Sequence, residues 1–212
     1  AILGGAKVSD NPIIKVKDSN NEEFGGENAG AVYAKGSGST VVINQTALPT
    51  SANIDITGKE IVEISATDGS KKGTGNYAGF GLYADGGAKI EAKNNFIKVT
   101  NGGTAIASVG KSGATPAVNS RIDLSGTATN AGGTVEYDGK GYALFSSEGG
   151  EIDLSYGTLT LRGSSTGYSR DVTAATQPIT LTGATINVFS NDVIIANLKG
   201  VSTFNTNGSY IN

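Results

Sequence analysis

The apolar positions of this chain fall two residues apart in short bursts, and the bursts return at fixed intervals. Leu82-Tyr83-Ala84, Lys89-Ile90-Glu91 and Ile97-Lys98-Val99 are answered by Leu144-Phe145-Ser146, Glu151-Ile152-Asp153 and Leu159-Thr160-Leu161. In both sets the first and second aliphatic anchors stand 8 residues apart (82 to 90, 144 to 152), and the second and third stand 7 apart (90 to 97, 152 to 159). Alternation of period 2 marks half-buried strands, and no stretch sustains a helical period over about 11 residues. A three-strand unit returning every 20 to 50 residues or so reads as a solenoid, in which each repeat buries its apolar face only against its neighbours.

The same anchors can be followed in both directions. A leading coil ends in Ile14-Lys15-Val16; the next carries Val32-Tyr33-Ala34, Val41-Val42-Ile43 and Ile54-Asp55-Ile56. Ile61 to Ile64 either extends that rung or belongs to another one. Ile106, Ile122-Asp123-Leu124 and Val135-Glu136-Tyr137 make a further coil, and Val172, Ile179-Thr180-Leu181, Ile186-Asn187-Val188 and Ile195 continue it, with a weak last coil through Thr203 and Tyr210. The expected fold is all-β: a right-handed, three-sided parallel β-helix of about six coils over residues 1–212, its hand taken from the rule for parallel crossovers. Insertions near 18–30, 68–79 and 163–170 interrupt the joint between third and first strands and should emerge along one edge of the rod. Another near 110–117 delays a second strand. Binding residues of repeat proteins tend to ride on such loops. Neither end reads as an amphipathic cap, so a segment of a longer rod is expected.

Composition fits this picture and narrows the chemistry. Thirty-two glycines among 212 residues suit a chain that turns at every corner, whereas Trp, Met, Cys and His are all absent. Without His or Cys the commonest general base, the thiol nucleophile and the usual zinc ligands are missing. No catalytic residue, cofactor or metal site is therefore expected. A formal charge of -3 gives no basic footprint for nucleic acid. No apolar run approaches the roughly 18 residues of a membrane span, and Ala1 opens without a signal segment.

With Ile90, Ala92, Ile122, Leu124, Ile152 and Leu154 inward, Glu91, Asp123 and Asp153 stack outward as a column of carboxylates about 5 Å apart. Paired carboxylates at about 5 to 9 Å suit glycoside hydrolysis, and an acidic column suits calcium. The neighbouring column of Lys89, Arg121 and Glu151 puts two cations beside these acids, which favours cross-strand compensation over chemistry. Lys98 beside Glu136 on the third strand fits the same pattern. Gly73-Thr74-Gly75-Asn76-Tyr77-Ala78 has dinucleotide-fingerprint spacing but no strand-loop-helix context, and reads as a turn. Asn44-Gln45-Thr46 and Asn207-Gly208-Ser209 are short acceptor sequons of the kind chance produces.

Tyr33, Tyr83 and Phe145 share one register position on the first strands, between an aliphatic residue and a small one. They are core if that position faces inward. If it faces outward they form an exposed ladder able to bind sugar or protein, and they are the candidate partner-binding residues.

Gly81-Leu82-Tyr83-Ala84-Asp85-Gly86-Gly87-Ala88-Lys89-Ile90-Glu91 and Ala143-Leu144-Phe145-Ser146-Ser147-Glu148-Gly149-Gly150-Glu151-Ile152-Asp153 resemble repeats in the passenger domains of bacterial autotransporters, particularly the very large fusobacterial adhesins. The resemblance covers most of residues 31–200, with motifs generic to the architecture. It implies a secreted, cysteine-poor passenger displayed outside the outer membrane, anchored by a separate C-terminal β-barrel and contributing to virulence. The function implied is non-enzymatic: attachment, or the spacing of attachment, to a host or bacterial cell-surface protein or glycan. The alternatives are a vacuolating-toxin-like passenger segment, a polysaccharide-active enzyme using Glu91, Asp123 and Asp153, and a phage fibre or plain spacer.

Overall fold

The computed structural model describes residues 6–8, 10–17, 30–64, 67, 71–101, 103–111, 118–139, 141–162, 169–171, 179–189, 197–198 and 210–211. Three parallel sheets run the length of the solenoid, and the described residues contain no helix. The first face stacks Gly30–Lys35, Phe80–Asp85, Thr104–Val109, Tyr142–Ser147, Ser169–Asp171 and Asn197–Leu198. The second stacks Ala6–Val8, Thr40–Ile43, Lys89–Glu91, Arg121–Asp123, Glu151–Asp153 and Ile179–Thr180. The third stacks Ile14–Lys17, Ile54–Thr57, Phe96–Thr100, Thr134–Asp138, Thr158–Arg162, Thr185–Val188 and Tyr210–Ile211. Six or seven strands per face make a three-sided parallel β-helix of about the six coils expected.

The register follows the repeat spacing. Ile90, Ile122 and Ile152 lie one above another on the second face, as do Ile54, Ile97, Val135, Leu159 and Ile186 on the third. These columns, with Val32, Leu82, Ile106 and Leu144 of the first face, fill the interior and are at most 1% exposed. Each coil exposes its apolar stripe unless another coil covers it, so burial and strand pairing arise together. The buried side chains of Asn53, Asn95, Ser108, Ser120 and Ser146 are hydrogen-bonded, whereas Gln45 Oε1 is sealed from solvent without a partner. At the corner before the third face, Asn53 Nδ2 donates to Asn95 Oδ1 (2.7 Å), while Asn95 Nδ2 donates to the Ile43 carbonyl (3.0 Å). Both side chains are nearly sealed from solvent, and this amide ladder satisfies backbone groups that the turn leaves unpaired.

The structure corrects the expectations in three places. Ile61 to Ile64 belongs to no rung: Lys59–Ile64 leaves the solenoid and pairs antiparallel with Lys71–Ala78, with a bulge between Glu60 and Val62. The insertion therefore begins a full strand earlier than 68–79, and Gly73 to Ala78 is strand rather than turn. Alternation alone could not separate a rung from a hairpin strand, because both have period 2. In the later coils the first-face strand is Ser169–Asp171, ahead of the Val172 anchor and overlapping the 163–170 insertion. The following first-face strand is Asn197–Leu198, beyond the Ile195 anchor. These strands carry almost no aliphatic signal, so an anchor search slides past them. Residues 18–29, 112–117, 163–168 and 203, together with Val172, Ile195 and Asn207, lie outside the described residues.

Candidate functional site

The first face gathers aromatic rings on its outer surface, and a break in alternation explains how. Its strands contain a small residue followed by an aliphatic one: Ala31-Val32, Gly81-Leu82, Ala105-Ile106 and Ala143-Leu144, all buried. A Cβ built on Gly81 would fall 2.7 Å from Ile97 Cγ2 and 2.6 Å from the Ala105 carbonyl oxygen, so this position also faces the core and tolerates no side chain. Two successive inward residues reset the parity of the strand. The residue before the pair and the residue after it then both emerge outward.

Two outward columns result: Gly30, Phe80, Thr104 and Tyr142 in one, and Tyr33, Tyr83, Ala107 and Phe145 in the other. The outward alternative for Tyr33, Tyr83 and Phe145 is thus the one realised, with each ring half-buried. Ala107 interrupts their ladder between Tyr83 and Phe145. Phe80 and Tyr142 were missed because strict alternation from Leu82 and Leu144 would turn them inward.

The rings brace one another. Tyr33 lies 5.2 Å from Tyr83 and 6.2 Å from Phe80, and Phe80 meets Tyr83 nearly edge-on at 5.5 Å. Phe80 lies over Gly30, where an added Cβ would sit 2.0 Å from its Cζ. Two rungs along, Tyr142 and Phe145 form a second pair at 5.4 Å, tilted by 32°. Between the two groups lies the rung carrying Thr104 and Ala107, with Ala107 only 6% exposed.

A fringe that is polar except at Val109 runs beside the rings in the column Lys35, Asp85, Val109 and Ser147. Tyr33 OH donates to Asp85 Oδ2 at 2.9 Å, and Lys35 Nζ approaches the same oxygen at 3.7 Å. Burial, the Asp85 hydrogen bond and the nearby Asp85 charge push the Tyr33 hydroxyl up to about 12. Burial, then the charges of Asp85 and Glu148, raise Tyr83 as well. Both therefore present neutral hydroxyls at physiological pH.

In the acidic column on the second face Glu91 is exposed, while Asp123 and Asp153 are compensated. Arg121 reaches Glu151 Oε2 and Asp153 Oδ2, each at 3.2 Å, and lies 4.0 Å from Asp123 Oδ2; Lys93 reaches Asp123 at 3.5 Å. Burial pushes the Asp123 carboxyl up, but the Ser125 hydroxyl and amide, Lys93 and Arg121 together outweigh it and hold the group below its ordinary value. The Ser125 pattern recurs one coil on, where Ser155 donates twice to Asp153 Oδ1. On the third face Glu136 accepts from Arg162 at 3.2 Å and pairs with Lys98 at 3.3 Å, as expected, while Arg162 also sits 4.5 Å over the Phe189 ring.

The side chains of the hairpin that borders the first face are outside the described set. By chain connection the hairpin enters Phe80–Asp85 directly through Gly79, and the 18–29 and 163–168 segments likewise precede first-face strands. The rungs between them have short corners, from Thr100 to Thr104 and from Asp138 to Tyr142. The aromatic face thus adjoins the edge at which this chain departs most from its repeat.

Among the described residues, no three His, Cys, Asp or Glu side chains are grouped to hold a metal ion, and no helix is long and apolar enough to cross a membrane. The residues define a β-solenoid with an aromatic, hydroxyl-fringed outer face. No protein family, curated protein or solved structure matches the chain.

Proposed function

We propose that this chain is a non-enzymatic binding segment of a surface-displayed adhesin, a piece of an autotransporter-like passenger that holds a partner on another cell. One observation carries the reading: Tyr33, Phe80, Tyr83, Tyr142 and Phe145 lie on the outer surface of the first face, beside the corner at which the Lys59–Ala78 hairpin leaves the solenoid. A face kept only for solubility has no use for five rings, since the fold needs nothing from them beyond small outward residues such as Thr104 and Ala107 on the intervening rung. Braced aromatics bury large areas while losing little rotamer freedom, the usual property of an anchoring surface. The polysaccharide-cleaving alternative is weakened by Asp123, whose carboxyl is held low where a general acid must be held high.

The test is attachment. Beads coated with the purified protein should adhere to epithelial or bacterial cells, and the Tyr83→Ser, Phe145→Ser double variant should lose most of that adhesion with its circular dichroism and melting unchanged. Equal adhesion by a folded double variant would remove this face from the function.

A further inference from the structure

The chemistry of the first face also points to what it holds. We infer that the five-ring surface is a carbohydrate platform, on which a linear oligosaccharide lies along the solenoid axis and stacks its sugar rings on Tyr33, Phe80, Tyr83, Tyr142 and Phe145. This rests on the adhesin reading above and narrows its partner to a glycan.

Three features favour a sugar over a protein. The first is shape: the rings are half-buried on one face and span the rungs from Gly30–Lys35 to Tyr142–Ser147, three strand spacings, or about 14 Å, with those of the first group inclined at 46° to 83° so that a ligand meets them at successive angles. That is a narrow strip whose length suits a thin extended chain of a few sugar units. The second is the mixture of groups. A pyranose presents an apolar face of C–H bonds and an edge of hydroxyls; here aromatic rings lie beside a fringe of Lys35 ammonium, Asp85 carboxylate and Ser147 hydroxyl, with neutral Tyr33 and Tyr83 hydroxyls among the rings. The third is pre-organisation. Ring contacts of 5.2 to 6.2 Å, and the Tyr33 hydrogen bond to Asp85, hold the platform in place before a ligand arrives, which reduces the ordering cost of a weak, multivalent contact.

The repeat itself adds a reason for a polymeric ligand. Equivalent positions recur at one strand spacing, and Thr104 and Ala107 on the intervening rung are small, so no ring or long side chain at those two positions separates one ring group from the next.

The experiment titrates the folded protein with short neutral oligosaccharides of β-linked glucose, galactose and N-acetylglucosamine, reading intrinsic tyrosine fluorescence and calorimetric heat. Saturable binding to at least one series is expected, with affinity rising with oligosaccharide length. The Tyr83→Leu, Phe145→Leu variant keeps apolar bulk but removes two π-faces, and should lose about tenfold or more in affinity. Lys98→Ala, on the third face and away from the rings, should bind as the parent does. No binding to any sugar, together with undiminished adhesion to cells stripped by glycosidases, would overturn the glycan platform while leaving the adhesin reading standing. Sugar binding that survives the leucine variant unchanged would overturn the assignment of the rings. Failure of the parent protein to adhere to untreated cells would count against the adhesin reading alone, because the titration reports sugar binding independently.

Discussion

At the scale of single residues, Arg121 has the most to reveal, because one guanidinium serves carboxylates on two successive rungs. With 42% of its side chain exposed, solvent screening keeps its contribution small, and Arg121→Ala should cost only about 1 kcal/mol. The loss leaves Asp123, Glu151 and Asp153 repelling one another, so chemical denaturation should show the deficit shrinking at high salt. An Arg121→Ala effect indifferent to salt would mean that packing of the side-chain stem dominates. The tyrosines give a second check at the opposite end of the pH scale. Tyr33 is raised to about 12 and Tyr83 is raised as well, so the folded state favours their neutral forms. Their contribution is complete below about pH 10, where an unfolded tyrosine ionises, and is lost as pH rises from there through the folded value. Tyrosinate absorbance should therefore show some of the eight tyrosines titrating late in the native protein and together after denaturation. The same residues mark how far sequence reading reaches. The register shared by Tyr33, Tyr83 and Phe145 was visible from spacing. Their outward direction was not, because it depends on two adjacent inward residues at Gly81-Leu82 and Ala143-Leu144 that break the alternation on which direction is judged.

At the scale of elements, the rungs with aliphatic anchors were legible because their interior positions are filled by Ile, Leu and Val at a fixed pitch, from Leu82 through Val99 and again from Leu144 through Leu161. Strands whose role is mainly backbone pairing were not. Ser169–Asp171 and Asn197–Leu198 hold the first face by main-chain ladders to their neighbours, and main-chain hydrogen bonds leave little trace in residue type. The hairpin was obscured for the opposite reason, since Lys59–Ile64 has enough alternation to pass as a rung. Its antiparallel partner is local, and no solenoid strand pairs with it among the described residues. Replacing Lys59 through Ala78 with a short glycine-containing turn, like the corner from Thr100 to Thr104, should leave thermal stability within about 1 kcal/mol of the parent. A large drop would show that the hairpin supports the solenoid.

At the scale of the whole molecule, stability should be distributed by position along the axis. A central coil such as the one containing Lys89–Glu91 and Phe96–Thr100 has paired strands on both sides, and its interior is sealed. In a repeat architecture, stability is close to a sum of coil terms and nearest-neighbour interfaces, so fraying should begin away from these rungs. Native-state hydrogen exchange should accordingly be slowest at the amides of Ile90, Ile97 and Ile122 and faster toward Ile14–Lys17 and Thr185–Val188. Uniform protection along the rod would indicate a single cooperative block. The parallel ladders have a mechanical consequence too. Their hydrogen bonds run from coil to coil, along the axis, so a steady pull on the rod loads successive interfaces in series. The interfaces should yield one after another, and each coil that peels away frees slack of the order of the 24 residues between Leu82 and Ile106. Under flow, such a rod would lengthen in steps and shed tension before any contact on its aromatic face had to bear the full force.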